Sequence, residues 1–197
     1  MDFDGQMREE AVLAVRAAND RLAFVTLYDR YFHRIYNYMR VRILDPELAD
    51  DLTAQVFERA FKHIHTYRPE SAPFGGWLFA IARNALSDHL RATRRRQFFS
   101  LDILRSRPAE KSALEDGFIQ RESHQELLQS LSRLSERERD LVGMKFYGGL
   151  SNRQIAELSG LSESNVGVIL YRAMHRLREY LGEQELPGVE NSGYERV

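Results

Sequence analysis

Between Trp77 and Arg96 the chain carries Arg83, Arg91, Arg94, Arg95 and Arg96 against one acid, Asp88. That is a local net charge of +4 in a chain whose formal total is −1. Guanidiniums gathered this closely attract phosphate, because the attraction acts over a Debye length of about 10 Å rather than over the whole molecule. His63, His65, Tyr67, Phe74 and Trp77 stand just before them. Aromatic rings beside arginines form a surface on which unstacked bases bind, at about 1–3 kcal/mol per base. The plainer alternative makes Phe74 and Trp77 core residues and the arginines a solvated helix end. A second constellation is Asn152–Tyr171, where Ala156 is small at a helix crossing and Gly160, four residues later, suits a turn of positive φ. Ile155, Leu161, Val166 and Ile169 can close a miniature core there, with Ser162 capping the helix that follows. This is helix-turn-helix spacing, and it puts the second helix in a major groove. An αα-hairpin without a DNA role is the alternative. A third group, Asp50, Asp51, Gln55 and Glu58, has no assignable chemistry by spacing alone, since acids early in a helix serve its dipole. His63 and His65 lack further ligands at zinc spacing. No phosphate loop, nucleophile elbow or HExxH occurs, so the sequence offers no catalytic residue, metal or cofactor.

These groups need elements to hold them. The five prolines, at 46, 69, 73, 108 and 187, leave long proline-free runs, which favour helices over a turn-rich β fold. Val25, Tyr28, Phe32, Ile35, Met39 and Ile43 recur at helical spacing. Asp45-Pro46 is a start signal for the next helix, with Leu48, Leu52, Val56, Ala60 and Ile64 as its stripe. Pro69 and Pro73 break it. The following helix carries Phe74, Leu78, Ile81, Ala85 and Leu86 on one face and Asn84, Ser87, Asp88, Arg91 and Arg95 on another. Periodicity fades over 97–121 and resumes at Leu127, Leu128, Leu131 and Leu134. Ser135…Glu138 and Ser151…Gln154 both fit the capping box. The expected fold class is therefore all-α, two small helical domains at 20–96 and 122–181, joined by a flexible linker and followed by a short acidic tail at 182–197. With no cysteine, no apolar run long enough for a membrane span and a polar, acidic Met1–Glu10, the expected location is the cytoplasm.

Taken in order, these motifs resemble an extracytoplasmic-function sigma factor, the small two-domain group of the sigma-seventy family. The residues carrying the resemblance are Phe24-Val-Thr-Leu-Tyr-Asp-Arg-Tyr-Phe32, Ala49-Asp-Asp-Leu-Thr-Ala-Gln-Val-Phe-Glu-Arg-Ala-Phe61, Phe74-Gly-Gly-Trp-Leu-Phe-Ala-Ile-Ala-Arg-Asn84 and Leu134-Ser-Glu-Arg-Glu-Arg139, with the helix-turn-helix behind them. The resemblance implies binding to core RNA polymerase through Asp50, Asp51, Gln55 and Glu58. It implies minus-ten promoter contacts by His65, Tyr67, Phe74, Trp77, Asn84, Asp88, Arg91 and Arg95, with melting of the duplex. Minus-thirty-five contacts fall to Ser162, Glu163, Ser164, Asn165, Gly167, Val168, Tyr171, Arg172 and Arg176. An anti-sigma factor is the further partner implied.

Two features depart from the family pattern. Gln55 stands where an acid is usual, and Gly167-Val168-Ile169 follows Val166 where basic residues are usual. By side-chain chemistry Glu163 can accept from cytosine, Asn165 can pair with adenine, and Arg172 and Arg176 suit phosphates. Leu134–Leu177 also resembles the output domain of LuxR-type activators, which leaves such an activator as one alternative. A helical protein-interaction adaptor is the other.

Overall fold

The computed structural model describes residues 3–99 and 127–181. The expected linker from Ser100 onward, residues 122–126 and the tail 182–197 lie outside the described residues. Among those described, there are helices and turns and no strand.

Local chemistry sets the helix ends. Helix α1 spans Phe3–Arg16 and α2 spans Arg21–Ile43. Asp20 caps α2, its carboxylate accepting from the amides of Leu22 at 2.9 Å and Ala23 at 3.4 Å. Asp45 likewise accepts from Leu48 at the start of α3 (Pro46–His63), with Pro46 in its first turn. A 3₁₀ turn at Ile64–Thr66 leads into the proline loop, after which α4 runs over Phe74–Phe99. Residues 127–132 are helical (α5). Then come α6 (Glu136–Val142), a π-helical turn (Gly143–Tyr147), α7 (Asn152–Ser159) and α8 (Glu163–Leu181). Both capping boxes form, at Ser135/Glu138 and Ser151/Gln154. Gly160 ends α7 at φ 72°, a left-handed conformation that an L side chain adopts only with strain.

Helices α2, α3 and α4 pack into the first half, with α1 laid across α2 and α4. Leu27, Tyr31, Ile35, Tyr38, Met39, Leu52, Val56, Phe74, Leu78, Phe79 and Leu86 fill its interior. The expected stripe of α2 is buried at Ile35 and Met39, with Phe32 and Ile43 packed partly against the core. Its first turns differ, since Val25 is 50% and Tyr28 37% exposed, and Leu27, Tyr31 and Tyr38 are buried as well. The reason is that α2 is covered on several sides, by α1, α3 and the second half, so polar-edged tyrosines go inside.

The two halves, expected to be separate bodies on a linker, pack together. Their buried residues form one continuous core, in which the π turn lies on α2 and α7 touches α4. Three glycines permit the approach. A Cβ at Gly143 would stand 2.8 Å from the Tyr38 ring, one at Gly148 3.0 Å from Phe79, and one at Gly149 2.9 Å from the Arg34 guanidinium.

Candidate nucleic-acid interface

Three exposed surfaces carry the residues that sequence reasoning singled out. The first is the outer face of α3. Asp50, Asp51, Gln55 and Glu58 are all exposed there, while Leu52, Val56 and Ala60 turn inward. Lys62 donates to Glu58 at 2.6 Å, and this bond and its charge hold the Glu58 carboxyl below its ordinary range. Burial, helped by the Asp50 charge, raises the neighbouring Tyr36 phenol.

The second surface is the proline loop with the polar face of α4. Asn84, Asp88, Arg91 and Arg95 are exposed along that face, and His65 is exposed at the foot of the loop. Asp88 stands 3.5 Å from Arg59 and 3.8 Å from Arg91, a pairing open to solvent and therefore weak. The aromatic members are placed otherwise. Phe74 is 2% exposed and packs edge-on against Tyr31, and Tyr67 is 4% exposed, donating its hydroxyl to the Ala72 carbonyl at 3.1 Å. Neither presents a free ring face for stacking, because the loop closes over them. Trp77 is half buried between the two, with ring centroids 5.6 Å from each. Burial first, then the charges of Glu10 and Glu70, pushes the Tyr67 phenol up to about 12. Arg8 and Ala11 of α1, with Tyr67 and Pro69 to Pro73, wall an open cleft of about 390 Å³ beside this loop. Helix α1 was not evident from apolar spacing, yet it supplies one side of that cleft.

The third surface is the helix-turn-helix. Ser162, Glu163, Ser164 and Asn165 are all exposed in the first turn of α8, where the Ser162 hydroxyl accepts from the Asn165 amide at 3.3 Å. Beyond them Val168 is 43% and Tyr171 72% exposed, with Arg172 exposed on the same side. Gly167 is half buried, and a Cβ there would stand 3.8 Å from the Asn152 side chain, an ordinary contact, so the crossing of α7 and α8 does not require glycine. One expected contact is engaged elsewhere. Arg176 donates to Glu138 at 2.7 Å and is held back against α6. Burial alone would raise the Glu138 carboxyl, but the Ser135 amide and hydroxyl, with Arg176, outweigh it and lower the carboxyl.

Sequence reasoning missed the charged seam between the halves. Asp140 of α6 accepts from the Tyr38 hydroxyl at 2.7 Å and pairs with Arg42 at 3.4 Å and Arg83 at 3.3 Å. Burial first, then the Asp140 charge and hydrogen bond, raises the Tyr38 phenol well above its ordinary value. One terminal nitrogen of Arg94, Nη2, donates to both carboxylate oxygens of Glu136 at 2.8 Å. Arg34 reaches the carbonyls of Tyr147 and Gly148. The sequence signal was the run of glycines at 143, 148 and 149, too sparse by itself to name a partner.

Comparison with known proteins agrees with this geometry. Residues 27–96, from within α2 to the end of the basic stretch, match sigma-70 region 2, and residues 124–177 match sigma-70 region 4. Helix α1 precedes both. The ECF RNA polymerase sigma factor BldN of Streptomyces coelicolor is 33% identical over 83% of this chain, a match spanning 62% of that relative's length. SigM of Bacillus subtilis, an ECF sigma factor too, is 28% identical over 77% of this chain and 91% of its own. Two solved structures share the fold. CnrH, in complex with the cytosolic domain of CnrY, gives a TM-score of 0.65 at 21% identity over 88% of this chain and 97% of its own. RpoE of Bartonella quintana, with the anti-sigma factor NepR, gives 0.66 at 19% identity over 82% and 98%. These matches set aside the LuxR-type and adaptor alternatives. With both regions present in family order on an all-helical frame, the chain belongs to the sigma-70 family.

Proposed function

We infer that this protein is a dissociable, non-catalytic specificity subunit of RNA polymerase that recognises promoters and opens them in the cytoplasm. Its two DNA-contacting domains correspond to residues 20–96 and 122–181. The observation that carries the reading is one chain holding two separate exposed polar helix faces, on α4 and at the start of α8, each within a matched sigma-70 region. The outer face of α3, with Asp50, Asp51, Gln55 and Glu58, is the proposed polymerase contact. Asn84, Asp88, Arg91 and Arg95, with His65 and Trp77, are the proposed minus-ten contacts. An extruded non-template base would enter the cleft between α1 and the proline loop, its unstacking cost of a few kcal/mol offset by contacts there. The first turn of α8 reads the minus-thirty-five element, with Val168 and Tyr171 offering apolar contact and Arg172 a phosphate contact. An anti-sigma factor is the further proposed partner, since one solved neighbour is a complex with an anti-sigma factor.

Run-off transcription with purified core polymerase on a promoter library tests the reading. Initiation that depends on the protein, with permanganate-reactive thymines near minus ten, is the expected result. Asn84→Ala should lower permanganate reactivity more than closed-complex binding. Transcripts unchanged by adding the protein would overturn the assignment.

A further inference from the structure

Asp88 is the single acid between Trp77 and Arg96, and two arginines stand on it. Its Oδ2 lies 3.5 Å from Arg59 Nη1 and its Oδ1 3.8 Å from Arg91 Nη1, one oxygen for each guanidinium. Arg91 belongs to the same helix, three residues on, but Arg59 comes from α3. A carboxylate is out of place on a face that meets DNA, because phosphates repel it. Holding a cation from a second helix gives it a use there.

Arg59 is separate from the proposed polymerase contact on its own helix. At 3.6 residues per turn it projects about 100° round from Glu58, toward α4, where it meets Asp88. Glu58 is held by Lys62 at 2.6 Å, within α3. The Arg59 side chain is 43% exposed, so its pairing with Asp88 is weak and leaves guanidinium donors free for a phosphate. Its charge also matters to the face as a whole. The row Asn84, Asp88, Arg91 and Arg95 carries two cations against one anion. Arg59 adds a third cation, to the side of that row.

We propose that Arg59 of α3 is a phosphate contact for the opened promoter strand, and that Asp88 is its positioning residue. The part of Asp88 in the minus-ten surface is to set Arg59 and Arg91 for the backbone, not to read a base. The DNA-facing surface of the first half is then two helices wide. The proposal rests on the reading of α4 as a DNA-facing helix.

The test uses holoenzyme assembled from the full chain and core polymerase. The probe is a fluorescein-labelled promoter recovered by run-off transcription, its minus-ten region held unpaired by mismatches. Arg59→Gln should weaken binding about fivefold and flatten the plot of log affinity against log salt by about 0.7, the share of one single-strand phosphate contact. Arg59→Lys keeps the charge and should restore most of the slope. Asp88→Asn separates positioning from plain electrostatics. Removing a carboxylate from a DNA-facing surface strengthens binding by charge alone, whereas removing a positioning residue weakens it. The expected result is binding about threefold weaker in the wild-type background, and unchanged or tighter in a chain already carrying Arg59→Gln. Tighter binding in the wild-type background, or equal weakening in both, overturns the positioning role. A salt slope unchanged by Arg59→Gln overturns the phosphate contact. Loss of core-polymerase capture by Arg59→Gln in a pull-down overturns it too, by moving Arg59 to the polymerase face. Wild-type holoenzyme that fails to bind the promoter removes the reading of α4 itself, whereas wild-type binding indifferent to Arg59→Gln removes this proposal alone.

Discussion

Gly143→Ala is the sharpest probe of the packed state. The added methyl would stand 2.8 Å from Cδ2 and 3.3 Å from Cε2 of Tyr38, against an ordinary carbon–carbon contact of about 3.5–4.0 Å. Tyr38 has no room to retreat. It is fully buried, its hydroxyl is held by Asp140 at 2.7 Å, and its ring meets Phe79 edge-on at 5.4 Å between centroids. Overpacking of this kind costs about 1–3 kcal/mol. Alanine's smaller backbone entropy loss, up to about 1 kcal/mol, favours the folded turn equally in the open and closed molecule and so leaves their balance alone. The full overpacking cost of about 1–3 kcal/mol acts against closure, which multiplies the open population about 5- to 150-fold. The absence of native cysteine allows clean labelling at exposed Asn19→Cys and Glu157→Cys, one in each half. Energy transfer between the two dyes should fall in Gly143→Ala. Gly160→Ala is the control, because its φ of 72° strains the turn after α7 while the added methyl would meet nothing within 4 Å. It should lower the melting temperature and leave transfer unchanged. Equal transfer in wild type and Gly143→Ala, at unchanged stability, would refute the reasoning that this glycine is required for the approach.

Asp51→Arg should weaken capture of core polymerase in a pull-down while circular dichroism stays unchanged, since an exposed charge costs little stability. Asn165→Ala should change which promoters are preferred in a competition assay, whereas Arg172→Ala should weaken all of them alike and lower the salt slope by about one. Glu138 has a lowered carboxyl pKa in the folded state, so its contribution is present above its ordinary value of 4.5 and is lost as pH falls below that. Melting temperature should therefore fall more steeply on acidification in wild type than in Glu138→Gln.

What was legible in the sequence was local chemistry. Asp45-Pro46, Ser135/Glu138, Ser151/Gln154 and Gly160 each act within four residues, and each does in the structure what its type suggests. Long-range partners were not legible. Tyr38 and Asp140 are 102 positions apart, and no spacing rule links them. Arg176 reads as a phosphate contact by its place on α8, but Glu138, 38 positions earlier, already holds it. The aromatic residues of the proline loop read as a stacking surface by composition. Burial decides the matter, and Tyr67 and Phe74 went to the core because Tyr31 and Trp77 complete an aromatic cluster with them. On α2, Ile35 and Met39 are buried as expected, but a helix covered on several sides has no single apolar stripe, and Leu27, Tyr31 and Tyr38 are buried too.

The closed arrangement sets a length problem for the proposed function. About 150 residues packed around one core have a radius of gyration near 15 Å and a diameter of about 40 Å. Elements named minus ten and minus thirty-five lie some 25 base pairs apart, about 85 Å of straight duplex at 3.4 Å per step. A body of this size cannot touch both at once, so promoter engagement requires the halves to part. The chain between Phe99 and Leu127 can span about 90–100 Å when fully extended, enough for that separation. Parting exposes apolar surface around Tyr38, Phe79 and Met144, all fully buried in the closed form. It also frees the arginines that Asp140 and Glu136 occupy. Polymerase and DNA must together supply what the seam gives up, and a partner that binds both halves in the closed form needs only to prevent their release. Few-kcal/mol changes at one seam, such as the one expected of Gly143→Ala, therefore act on the balance between a stored and an engaged subunit without touching a single promoter contact.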